Sequence, residues 1–106
     1  MSKSSKRLGS NVLVDLGFPD AEELSAKTTL ALRLNEILDR RGLTQVEAAR
    51  ALGMTQAKVS ALVNYKLRGI SLERLMQALV ALDQNVEITV RPRGRSRMPA
   101  GIRVAA

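Results

Sequence analysis

Leu43-Thr-Gln-Val-Glu-Ala-Ala-Arg-Ala-Leu-Gly-Met-Thr-Gln-Ala-Lys-Val-Ser-Ala-Leu62 is the stretch on which the fold turns. Thr44 followed three residues later by Glu47 has the spacing of a capping box, so a helix should open there and run to about Leu52. Gly53 then ends it, because the turn needs a positive φ that glycine adopts without a Cβ clash. Thr55 caps a second short helix, which carries Val59 and Leu62 on its inner side. Two short helices crossing steeply over a tight turn need a small residue where they touch, and Ala49 supplies it. Ala48 and Leu52 on the first helix, and Met54, Val59 and Leu62 around the second, are the inward positions. The spacing predicts a helix-turn-helix, an arrangement whose second helix can enter the DNA major groove. A plain helical hairpin in an all-α domain would share the glycine. It would not demand two threonine caps, a small contact residue and an apolar set at these offsets.

Working outward, Asp20 with Glu23 forms another capping box, and Leu24, Leu30, Leu34, Ile37 and Leu38 make one helical stripe up to Arg41. Gly42 is a suitable left-handed terminator. Beyond the motif, residues 65–70 read as a loop. Ser71 caps a further helix with Leu72, Leu75, Met76, Leu79 and Val80 as its apolar face. Val86-Glu-Ile-Thr-Val-Arg91 alternates strictly and reads as a half-buried strand ended by Pro92. The chain divides into a flexible segment 1–19, basic and then acidic; a helix-turn-helix domain 20–84; a C-terminal dimerisation strand 85–91; and a basic tail 92–106. The fold class expected is all-α, a helix-turn-helix bundle of four to five helices with the C-terminal β-strand pairing in a dimer.

That strand needs a partner edge, which a helical core does not offer. It could pair with Val12–Val14 or with its own copy in a second subunit. The homodimer is the preferred reading, with Met76, Leu79, Val80, Val86, Ile88 and Val90 in the interface. A two-fold pair would set two recognition helices about 34 Å apart, one turn of a palindromic duplex.

Composition removes whole classes of chemistry. The 106 residues contain neither His nor Cys, which excludes Cys/His zinc sites, Ser-His and Cys-His nucleophile pairs and disulfides. No dense carboxylate cluster presents itself, so no catalytic residue, metal or cofactor is expected and the chain is not read as an enzyme. Lys and Arg number 17 against 10 for Asp and Glu, and the net charge of +7 favours a polyanionic partner. Phe18 and Tyr65 are the two aromatic residues, too few for a single-strand stacking platform. No signal peptide is visible, and no apolar stretch approaches the length that spans a bilayer. A soluble, cytoplasmic protein with no membrane partner is expected.

The quoted stretch, continued through Ser71-Leu-Glu-Arg-Leu75 to Ala81-Leu82, resembles the Xre/lambda-repressor-like helix-turn-helix family over about residues 30–84. The resemblance implies a sequence-specific repressor bound to double-stranded DNA, with the start of the second helix against base edges. Thr55 caps that helix. Gln56 could bond adenine in a bidentate way, Ala57 could touch a thymine methyl, and Lys58 could reach guanine or a phosphate. Ser60 and Ala61, one turn on, are small enough for close approach. Gln45 resembles the family's phosphate-contacting glutamine. Asn64, Lys66 and Arg68 fall where the family grips the opposite phosphates, although each charged residue taken singly could be an ordinary solvated one. Ala57 and Ala61 leave few polar groups for direct readout, which shifts affinity toward phosphate contacts.

The flanks, Asn11-Val-Leu-Val-Asp-Leu-Gly-Phe-Pro-Asp-Ala-Glu-Glu23 and Asn85-Val-Glu-Ile-Thr-Val-Arg-Pro92, are similar to Xre-type antitoxins of HigA-like toxin–antitoxin pairs. That similarity implies a chain that represses its own operon and neutralises a RelE-like toxin. The acidic segment 8–24, with Val12, Val14, Leu16, Phe18 and Leu24, would help bind the toxin, or would pack on the chain's own first helix. A stand-alone Xre-type regulator is the alternative. A small basic ribonuclease is a distant one, since such toxins are rich in sheet. Arg91, Arg93, Arg95 and Arg97 alternate, so an extended tail would point all four one way. Such a tail could be a minor-groove arm. A mobile basic tail adding non-specific affinity is the preferred reading.

Overall fold

Residues 21–95, 97 and 99–105 are described by the computed structural model, and they contain four helices. The first, α1 (Ala21–Arg41), has 21 residues. Glu22 and Glu23 lie in its first turn and Arg40 and Arg41 in its last, matching the helix dipole at both ends. Its inner stripe is Ala26, Leu30, Ala31, Leu34, Ile37 and Leu38. Gly42, at φ 65°, turns the chain out, and Leu43 N–H bonds back to the Leu38 carbonyl at 3.2 Å. Asp20, the expected cap of α1, lies outside the described residues.

The next three helices are α2 (Gln45–Leu52), α3 (Gln56–Val63) and α4 (Leu72–Ala81). Thr44, Thr55 and Ser71 cap them, each accepting a backbone N–H three residues on. At Thr44 the capping box is complete, with the Glu47 carboxylate accepting the Thr44 N–H at 2.9 Å. α1 packs on α3 and α4, and α2 packs on α3 and α4. Leu34, Val59, Leu62, Ile70, Leu75 and Leu82 are fully enclosed where these elements meet. Arg41 also donates to the Leu82 carbonyl at 2.7 Å, tying the C-terminal end of α1 to that of α4.

The C-terminal third bears on three expectations. On α4 the inward set is Leu75, Ala78, Leu79 and, just past its end, Leu82; Val80 faces solvent and is 57% exposed. Of the apolar face expected for this helix, Val80 falls outside the core-facing side because the buried residues recur at steps of three and four that pass it by. Residues 86–91 carry no strand within the single chain. Val86 leans on the core, while Ile88 and Val90 stand 74% and 90% exposed. The alternation is present but no described element of the same chain offers an edge to pair with. The tail is not an extended arm either: Gly94, at φ 66°, turns it between Arg93 and Arg95. Farther on, Gly101 lies against the Glu22 carboxylate and Val104 packs on the core, so the tail folds back over the start of α1. Among the described residues no helix is long and apolar enough to cross a membrane.

Candidate nucleic-acid interface

The corner between α2 and α3 follows from backbone conformation. Gly53 sits at φ 65°, ψ 34°, and its N–H returns to the Ala49 and Arg50 carbonyls. Met54 N–H bonds to the Ala49 carbonyl at 3.0 Å, which closes the last turn of α2. Ala49 is 9% exposed at this contact. A larger side chain there would push the helices apart.

With the corner closed, α3 has two unlike sides. Val59 and Leu62 are wholly buried. Thr55, Gln56, Ala57 and Lys58 are exposed, and Ser60 and Ala61 are half-buried. The leading half of α3 is therefore not covered by its own chain. An exposed helix of this width fits a groove about 12 Å wide.

The other positions singled out in the sequence are placed as follows. Gln45 is exposed as the first residue of α2 and borders a shallow cleft of about 250 Å³ that it shares with Asn35, Asp39, Thr44 and Tyr65. Asn64 ends α3, and its side-chain amide donates to the Ser60 carbonyl at 2.8 Å, so part of it is engaged in holding its own helix. Lys66 and Arg68 are exposed in the loop after α3. Lys58 is exposed, yet its ammonium donates to the Gly69 carbonyl, and contact with a base or phosphate would require it to leave that bond. Leu79, expected at a subunit interface, is 4% exposed and belongs to the core of its own chain. Met76 and Val86 are half-buried.

The Glu47 carboxyl is held below the usual carboxylate range, first by the Thr44 backbone N–H and then by the Thr44 side chain, with Arg50 adding to both. A group whose pKa is depressed by folding stabilises the fold above its ordinary pKa. That contribution is lost as pH falls through the depressed value, so acid should loosen the start of α2.

Several side chains that hold this surface were not singled out in the sequence. Asn35 of α1 donates to the Leu62 carbonyl at 3.2 Å, while its own carbonyl oxygen is buried without a partner. Lys27 is 6% exposed; its ammonium reaches the Leu67 carbonyl at 3.2 Å and Glu23 at 3.5 Å. Arg74 of α4 donates to the carbonyls of Leu52, at 3.1 Å, and Gly53. Tyr65 holds φ 58°, a conformation costing a non-glycine residue about 1–2 kcal/mol. Nothing in local sequence patterning marks these residues, since each acts on a backbone group distant in the chain or through its own backbone strain. Among the described residues no group of His, Cys, Asp and Glu could hold a metal ion.

A model of the helix-turn-helix domain family matches residues 12–91. A solved structure named for the XRE family of transcriptional regulators is 57% identical, with a TM-score of 0.76. The alignment covers 83% of this chain and 99% of that one. No curated protein matches.

Proposed function

The chain belongs to the XRE family of helix-turn-helix regulators, and from that we propose that it controls transcription by seating α3 in the major groove of double-stranded DNA. The observation that carries this is the division of α3 into a buried side, Val59 and Leu62, and a bare leading side, Thr55 to Lys58. In this reading Gln56 bonds a base edge, Ala57 packs on a thymine methyl, and Ser60 and Ala61 allow the helix to approach. Gln45, Lys66 and Arg68 grip phosphates on either side. Lys58 exchanges its Gly69 carbonyl for a phosphate or a guanine, and Asn64 joins them with whatever bonding capacity its own helix leaves. The protein would act in the cytoplasm, and by occupancy rather than chemistry.

A dimer completes the proposal. Ile88 and Val90 are apolar, alternate along the chain and lie bare. Val80 is also exposed, and Met76 and Val86 are partly so. Pairing of residues 86–91 with their copy would cover this set and create a two-fold reader of a palindromic site. Leu79 would support that surface from behind.

The antitoxin reading adds a RelE-like toxin as a partner. The helix-turn-helix family match and a matched structure named as a transcriptional regulator support the stand-alone regulator better; the acidic segment 8–24 assigned to toxin binding lies mostly outside the described residues. The ribonuclease alternative is disfavoured by a fold with four helices and no strand among the described residues.

Two substitutions separate base reading from phosphate gripping. Gln56→Ala should cost about 1–3 kcal/mol on a duplex selected by the wild-type protein, and relax preference at one base pair. Lys66→Ala should weaken selected and scrambled duplexes alike and reduce the slope of log K against log salt by about one. Band-shift titrations at two salt concentrations read both effects. Equal losses on both duplexes for Gln56→Ala would remove Gln56 from the base-reading set.

A further inference from the structure

Arg74 lies on the first turn of α4, where its own N–H bonds to the Ser71 hydroxyl at 3.0 Å. Its side chain crosses to the corner and donates through one guanidinium nitrogen to the carbonyls of both Leu52 and Gly53, while the other nitrogen reaches Gln77 Oε1 at 3.5 Å. These carbonyls need an outside donor. The N–H groups of Gly53 and Met54 turn back to Ala49 and Arg50, which leaves the final carbonyls of α2 facing outward. They are also the negative end of the α2 dipole, where a cation is favoured. The guanidinium packs closely on the glycine: a Cβ at Gly53 would lie 3.6 Å from its nitrogen. α3 starts at Gln56, only three residues beyond.

We infer that Arg74 is a positioning residue for DNA recognition. It fixes, from behind and without contacting DNA, the direction in which α3 leaves the corner. This rests on the proposal that α3 reads the major groove. The tail end of α3 is held separately, by Asn35 on the Leu62 carbonyl; Lys58, in the first turn, adds a tie from the leading end to the Gly69 carbonyl. Arg74 thus governs the leading end, where Gln56 and Ala57 stand. The two N–H groups of one guanidinium nitrogen serve both carbonyls while its planar partner nitrogen is held on Gln77, which fixes the direction of the donors; an ammonium on a flexible stem has no such second anchor.

The test compares wild type, Arg74→Met and Arg74→Lys in the full chain, well below their unfolding midpoints. The probes are a duplex selected from a random pool by the wild-type protein and a scrambled duplex of equal composition. Arg74→Met should lose about tenfold on the selected duplex, the scale of one misread base pair, with the scrambled duplex and the salt slope unchanged. Arg74→Lys, which keeps the charge and a single donor nitrogen but loses the planar second one, should fall between, and it carries the test if Arg74→Met does not fold. Unchanged affinity for both duplexes, with only the unfolding midpoint lowered, would overturn the inference by reducing Arg74 to a structural role. Equal losses on both duplexes with a shallower salt slope would overturn it by making Arg74 a phosphate contact. If the wild-type chain selects no duplex at all, the DNA-reading proposal fails, and this inference with it.

Discussion

Leu62→Ala is expected to remove about 2–5 kcal/mol of folding free energy, the range for a leucine cut back to alanine in a close-packed core. Leu62 has no exposed surface and belongs to the cluster where α1, α3 and α4 meet. A small domain holds only about 5–15 kcal/mol in reserve, so the loss would take a large part of it. The same residue seats α3 from within and offers its own carbonyl to Asn35. DNA binding should therefore fall along with the folded population. Chemical denaturation followed by helical circular dichroism reads the change. Val46→Ala, at a residue 49% exposed on α2, is the control and should stay within about 0.5 kcal/mol of wild type. A loss for Leu62→Ala no larger than that of the control would mean that α3 is not packed as described.

Val90→Asp should leave the single chain folded and split the proposed dimer. Val90 is 90% exposed, so nothing in its own chain depends on its burial. Paired with a copy, it would bring one buried carboxylate from each strand to the same seam, which an apolar interface does not tolerate. Two half-sites read by linked subunits gain about 10²–10⁴ in affinity over one, and the monomeric variant should forfeit most of that. Light scattering at micromolar concentration should change from twice the chain mass to once, while circular dichroism is preserved. A wild-type chain that scatters as a monomer would remove residues 86–91 from any pairing role.

The helix-turn-helix was legible because its rules are local. Thr44 with Glu47, Thr55, Ser71 and Gly53 each act within a few residues of themselves, and the structure has all of them in those roles. Val59 and Leu62 were legible as inward residues because helical spacing fixes a side. Side-chain to backbone bonds between distant residues were not legible. Arg74 reaches back 21 and 22 positions, Asn35 forward 27, and Lys27 forward 40. A lysine in the first turns of a helix reads as solvated until a loop is laid over it, as the Leu67 loop is here. Residues 65–70 read as plain loop, yet Leu67 and Ile70 are core residues. Alternation over 86–91 marked a segment with two faces, but no described element of the single chain covers Ile88 and Val90.

The most direct measurement of how this surface is used is an NMR titration of the ¹⁵N-labelled chain with a selected duplex. The amides of residues 55–60 should shift most. Smaller shifts should appear at Gln45 and Lys66, and the exposed side of α1 at Leu32, Arg33 and Glu36 should stay still. Large shifts confined to the arginines of residues 91–103, with Thr55 to Ser60 unmoved, would contradict the account.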